Sequence, residues 1–401
     1  MIIPIVVNGM ELNFILDTGV SRTILFSLNQ IDSLNLKDFK RIKIRGLGAN
    51  KPVHALLSKN NEFQLKNLIG LQQNLLFILD SDFDLSAKMG LTIHGIIGYD
   101  LFKDFIVEIN YSQKKITFHK HTKRLTRKVM KMEKIPLTFY NKKPYVQVEI
   151  QLKKEQDPFL VKLLIDSGGS DGIWLFEGSH PLIISPEHYF DDYLGEGLSG
   201  IIRGKRSKIH RIFMGDFSLK NPTVSYPDST AIMVARKQVD RNGSIGGMVL
   251  NRFKVFLDYK NSSMYLKKGR NFKVPFNYNM SGIELIHSGL VLVKEKGSSL
   301  GAGINLESTN RAANSLQLEY NYTFAFKPTY RIFSIRKNSP ADLAGLREGD
   351  LLLAINGRAA YHYKMDEIVH LFYHKPNRKF KIKVNRNGVE LVCSFKLRKV
   401  I

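Results

Sequence analysis

Over most of the chain the apolar positions come in short runs or strict alternation, the patterns that predict strands. "MIIPIVVNG" reads as strand from Met1, and "RIKIRGLGANKPVHA" (41–55) alternates around Gly46-Leu47-Gly48. "YLGEGLSGIIRGKRSKI" (193–209) does the same around Gly197-Leu198-Ser199, and both stretches predict hairpins with glycine at the tip. Near the C-terminus, "FKIKVNRNGVELVCSFKL" carries Asn387-Gly388 between two alternating runs, a two-residue hairpin signal. Helical spacing stands out in Met365, Ile368, Val369, Leu371 and Phe372, and a short helix is marked by Ser339-Pro340 at its start and Gly345 at its end. The pattern predicts a mainly β protein.

Two of the apolar runs end in the same way. "FILDTGVSRTIL" (14–25) closes on Asp17-Thr18-Gly19, and "LLIDSGGSDGIWLF" (163–176) closes on Asp166-Ser167-Gly168. A single Asp-Thr-Gly is an ordinary turn between strands. The two aspartates, however, stand 149 positions apart, and "IIGYDLFKDFIVEINY" (96–111) matches "SIGGMVLNRFKVFLDY" (244–259) at a shift of 148. Gly98 answers Gly246, and Ile109-Asn110-Tyr111 answers Leu257-Asp258-Tyr259. A repeat of this length indicates a duplicated lobe.

Paired Asp-[Thr/Ser]-Gly motifs, each with a downstream apolar-apolar-Gly signal, resemble the clan AA aspartic proteases over roughly residues 1–270. The resemblance implies one bilobal active site per chain, with Asp17 and Asp166 as catalytic pair. Thr18, Gly19, Ser167 and Gly168 would support the two loops, and Gly46-Leu47-Gly48 and Gly197-Leu198-Ser199 would be flaps over an extended peptide. No tyrosine stands in the first flap segment, unlike pepsins, and Gly169 follows the second motif where the family more often has Ala, Ser or Thr. The chemistry suits the residue types: two carboxyls about 3 Å apart share one proton, so one acts as base while the other acts as acid on a water and a peptide carbonyl. No metal, cofactor or covalent intermediate is needed.

After Lys268, "NSPADLAGLREGDLLLAING" (338–357), the amphipathic helix and the terminal hairpin together resemble a bacterial PDZ domain. That likeness implies a peptide-binding loop, for which Ser281, Gly282, Ile283, Glu284 and Leu285 are the best candidates. Residues 294–316 are then expected to be an insertion.

Composition bounds the rest. A chain of 401 residues with 43% hydrophobic positions suits two or three domains, here 1–130 and 131–270 for the lobes and 271–401 for the PDZ domain. No apolar run has the length of a membrane span. The single Cys393 excludes an intramolecular disulfide and reads as a core residue. Asp80, Asp82 and Asp84 match the start of a calcium loop, but Leu85 and Leu91 stand where its Gly and Glu belong. The net charge of +24 is spread along the chain, and its densest run, His119 to Lys134, is expected to be a solvated linker or strand edge, with His119 and His121 in water. No nucleic-acid motif accompanies it, so the expected partners are a protein substrate and a peptide ligand of the PDZ domain, with acidic peptides or an anionic surface favoured. The start so close to the first loop suggests a longer native chain with an export signal, and the combination of domains resembles periplasmic or envelope proteins, with the cytoplasm as alternative. Oligomeric state is left open. Two functions remain: an aspartic endopeptidase with a PDZ module, or a peptide-binding scaffold whose lobes do not cut.

Overall fold

The computed structural model describes all residues except 27–33, 49–51, 80–84, 238–239, 297–321 and 374. Asp80, Asp82 and Asp84 therefore lie outside the described residues. The chain is mainly β. A seven-stranded sheet holds the first motif and a ten-stranded sheet the second.

In the first sheet the strand Met10–Leu16 runs parallel to Gly95–Ile97, with Leu16 beside Ile97, and Thr23–Leu25 pairs antiparallel on the far side of Gly95–Ile97. In the second, Phe159–Ile165 runs parallel to Gly243–Ile245, with Ile165 beside Ile245, and Ile173–Leu175 occupies the flanking place. The same connection thus recurs around both Asp-containing turns. Central strands of this kind are covered on both faces, which is why they read as apolar runs instead of alternating. Phe14, Leu16, Leu163 and Ile165 are all buried.

A third sheet, of five strands, draws from both parts of the chain. Its order is Glu133–Pro136, Ser263–Lys268, Phe253–Asp258, Ile106–Asn110, Lys115–His119. At its centre Val255 pairs with Ile109 and Leu257 with Val107. One continuous core accordingly contains Leu16, Ile97 and Ile109 together with Ile165, Val249 and Val255.

The run His119 to Lys134, expected to be a solvated linker or strand edge, begins and ends in the two edge strands of this five-stranded sheet and holds a packed helix between them. Helix Lys123–Val129 buries Leu125 and Val129 against Ile106, Phe256 and Tyr265. Its apolar residues sit four apart, one helical turn, so the cations face outward while the stripe seals the end of the shared sheet. His119 is half-buried, with its Nε2 2.8 Å from Glu108 Oε2.

The C-terminal unit has its own core, including Ile283, Ile332, Ile355, Ile368 and Phe380. Its six-stranded sheet is accompanied by helix Pro340–Leu343, whose first turn is capped by the Ser339 hydroxyl accepting from Asp342 N–H, and by helix Met365–Phe372. Arg386 grips the buried Asp350 carboxylate through two bonds of 2.7 Å each, tying the last hairpin to the Gly349-Asp350 turn. Residues 294–296, expected to begin an insertion, complete the long strand Ile283–Lys296, which pairs with Tyr322–Ile335; residues 297–321 lie outside the described residues. Among the described residues no helix is long and apolar enough to cross a membrane.

Candidate active site

Each Asp-containing turn begins where its strand is handed a last hydrogen bond by its parallel neighbour. Asp17 N–H donates to Ile97 O at 2.9 Å, and Asp166 N–H donates to Ile245 O at 2.9 Å. Each carboxylate then accepts a bond from its own turn: Gly19 N–H to Asp17 Oδ1 at 2.7 Å, and Gly169 N–H to Asp166 Oδ1 at 2.8 Å.

Thr18 and Ser167 join the two turns by a reciprocal exchange. Thr18 Oγ1 donates to Ile165 O at 2.6 Å and accepts from Ser167 N–H at 2.9 Å. Ser167 Oγ donates to Leu16 O at 3.1 Å and accepts from Thr18 N–H at 3.1 Å. Both side chains are buried, so each bond replaces water that neither group can reach, and losing one strands its partner. The exchange brings the Asp17 and Asp166 carboxyls into hydrogen-bonding contact. Gly168 is required for that approach, because a Cβ there would lie 2.5 Å from Asp17 Cγ.

Burial pushes the Asp17 carboxyl up to about 7, the Asp166 charge adds to the rise, and the Gly19 N–H and the Lys143 ammonium oppose it. Two buried phenols flank the pair. Tyr111 and Tyr259 stand at equivalent places in the repeated segment, and their hydroxyls have no partner among the described residues. Desolvation raises both phenols, Tyr111 further by Asp166 and Tyr259 further by Asp17. The signal for them was present in the Asn110-Tyr111/Asp258-Tyr259 correspondence. Lys143 and Arg241, by contrast, carry no sequence signal in so basic a chain, yet both act electrostatically on the pair.

The two hairpin tips meet. Ser199 N–H donates to Leu47 O at 2.8 Å, Gly46 N–H donates to Ser199 Oγ at 3.2 Å, and Gly48 N–H donates to Ala231 O at 2.9 Å. Gly48 has φ of +119°, and a Cβ there would lie 2.3 Å from the Ser199 carbonyl, so its lack of a side chain is needed twice over. Behind the second hairpin, Arg206 bridges Asp171 at 2.6 Å and Asp192 at 2.8 Å, while Ser225 Oγ and Trp174 Nε1 also donate to Asp171. Trp174 is therefore half-buried and hydrogen-bonded through its indole N–H.

The C-terminal unit packs against this hairpin. Arg336 lies 3.5 Å from Asp192, Tyr193 meets Phe333 edge-on, and Lys88 from helix Leu85–Met89 pairs with Glu196 and sits over the Phe333 ring. Ser281, Gly282, Ile283 and Leu285 are buried within the C-terminal unit, and Glu284 beside them is acted on by Asp192 and Arg206 across the junction. The N–H groups of Ser281 and Gly282 donate to Asn279 Oδ1, and that of Ile283 donates to Ser281 Oγ. Glu284 is pushed up to about 7, by desolvation first and Asp192 second, against the pull of Asn279, Arg206 and Arg336.

The described residues contain no grouping of His, Cys, Asp and Glu able to hold a metal. A cavity of about 470 Å3 lined by Glu177, His180 and Ile184 includes neither aspartate. Comparison with protein families finds an aspartyl protease domain at residues 3–101 and a PDZ domain at residues 331–386. None of the curated proteins compared is similar enough to this chain to match it.

Proposed function

We propose that the chain is an aspartic endopeptidase in which Asp17 and Asp166 work as one catalytic pair on an extended peptide held beneath the two hairpin tips. In this reading residues 1–130 and 131–270 are pseudo-symmetric lobes with one active site between them, and residues 271–401 form a PDZ domain that binds peptide or substrate. The observation that carries it is the reciprocal Thr18–Ser167 exchange, which holds two carboxyls in contact at the cost of their mutual repulsion. A purely structural turn gains nothing from that arrangement.

The pair holds one proton. The ionised member takes a proton from a water as the water oxygen attacks the peptide carbonyl carbon, and the protonated member donates to the carbonyl oxygen as its charge develops. When the tetrahedral intermediate collapses, the C–N bond breaks, the leaving nitrogen receives the proton the pair took from water, and one hydroxyl of the intermediate returns its proton to the ionised carboxylate as the new C=O forms, restoring the shared proton. The raised Asp17 carboxyl supports a shared proton near neutral pH. An envelope location in a bacterium fits this combination of domains and belongs to the proposal.

The test is cleavage of an unstructured protein between about pH 4 and 7, by the parent, Asp17→Asn and Asp166→Asn. A well-folded single variant that cuts as fast as the parent overturns the reading. A parent that never cuts, while its PDZ domain binds peptide, puts the non-cutting scaffold in its place.

A further inference from the structure

Near the aspartate pair stand two cations, Lys143 and Arg241, that form no close ion pair among the described residues. Lys143 opens the strand Lys143–Gln151, which pairs antiparallel with Phe159–Ile165 with Tyr145 opposite Leu164. Lys143 stands two residues before that last pair on its strand, and Asp166 two residues after it on the other. Arg241 is 7% exposed, and its guanidinium lies 5.1 Å from the Phe176 ring and 6.0 Å from the Tyr145 ring. Its Nε donates to Gly243 O at 3.1 Å, and neither Arg241 nor Lys143 has an ion pair among the described residues. The contrast with Arg206, held by both Asp171 and Asp192, is direct.

Buried guanidinium groups are ordinarily paired, because an uncompensated charge in a desolvated place is costly. Here the carboxylates that act on Lys143 are Asp17 and Asp166, and Asp166 also acts on Arg241. A pair that keeps one proton supplies one negative charge against two positive ones. Burial first, and then the nearby guanidinium, hold the Lys143 ammonium below its ordinary value against the pull of Asp17 and Asp166.

We propose that Lys143, backed by Arg241, is an anion-recognising subsite that selects peptides bearing a side-chain carboxylate, Asp or Glu, next to the bond held at the aspartate pair. Lys143 is half-buried and makes the direct contact, while Arg241 stays inside and raises the local potential. The proposal rests on the cleft being a peptide site. The strongly basic chain, at +24, would draw acidic peptides toward it.

The experiment measures binding to the full chain carrying Asp17→Asn, so that bound peptide is not consumed. Three short peptides are compared: one with Glu and an amidated C-terminus, its Gln counterpart, and the Gln peptide with a free C-terminus. The Glu amide should bind about tenfold more tightly than the Gln amide, and Lys143→Met should bring the two within about twofold. Equal affinities, or an advantage that survives Lys143→Met, overturn the subsite, and an advantage confined to the free C-terminus overturns side-chain selection in favour of a terminal carboxylate. A Glu advantage in a chain whose parent never cuts leaves the subsite standing and removes the endopeptidase reading.

Discussion

Leu47 and Leu198 change places. Leu47, at the tip of the first hairpin, packs with Phe176, Ile232, Leu194 and Ala231 of the second part of the chain, and Leu198, at the tip of the second hairpin, packs with Ile24, Leu76 and Ile93 of the first. Each apolar tip is thus partly covered by the opposite half, and in the proposed reading a peptide entering beneath parts the two tips. Trp174, the single tryptophan, lies in the clusters that receive Leu47.

Release of the tips should therefore be visible in tryptophan emission. In Gly197→Ala the added Cβ would meet Leu47 O at 2.2 Å, a backbone contact that no rotamer change relieves. Emission should shift to the red in Gly197→Ala and in Leu47→Ala, and in the parent when peptide binds. Unchanged emission in both variants would show that the tips stay closed by other means.

The Thr18–Ser167 exchange makes a sharper claim. Thr18→Val keeps the shape but leaves Ile165 O and Ser167 N–H unsatisfied, costing about 1–3 kcal/mol of stability. Cleavage should slow at least tenfold through kcat with KM little changed, and Thr18→Ser should restore most of both. A Thr18→Val variant with parental kcat would detach the exchange from catalysis.

The direction of the pH effects follows from the two raised carboxyls. Asp17, held near 7 in the fold against an ordinary 3.8, is favoured in its protonated form. Its contribution to stability is full below the ordinary value and is lost as pH rises toward 7. Activity that needs the shared proton should fall above about pH 7, and Asp17→Asn should melt like the parent at pH 4 but higher than the parent at pH 8, read by thermal unfolding at each pH.

Glu284 follows the same sign at a different place. Its ordinary value is 4.5 and its folded value about 7, so the junction between the C-terminal unit and the Phe190–Gly197 strand should weaken as pH rises across that window. Glu284→Gln should flatten the slope, and Arg336→Met, which removes a cation facing both Asp192 and Glu284, should steepen it. Proteolytic susceptibility of the junction against pH distinguishes these outcomes.

Much of the architecture could be read from residue order because the same apolar run, acid, hydroxyl residue and glycine occur twice at one shift. The parallel pairings Leu16–Ile97 and Ile165–Ile245 then repeat as the motifs do. The helix at Lys123–Val129 was hidden because its two buried residues, Leu125 and Val129, stand among seven positions dominated by cations, and charge density masks so thin a stripe. The partners of Asp192 could not be foreseen at all: Arg206 comes from the adjacent strand but Arg336 from a separate unit, and no local pattern links residues so distant in the chain. Lys143 is one of 60 lysines and arginines, distinguished only by where the strand register leaves it.

The five-stranded sheet gives the molecule a common floor. Ile106–Asn110 and Phe253–Asp258 are adjacent strands in it, and each continues directly into Tyr111 or Tyr259, the phenols raised in part by Asp166 and Asp17. A molecule hinged between its halves would have to tear that ladder to open, so entry must work like a pair of jaws whose roots are fused and whose lips alone part. In the proposed reading the spacing of the two carboxyls is then set when the chain folds, and the hairpins carry the motion of entry.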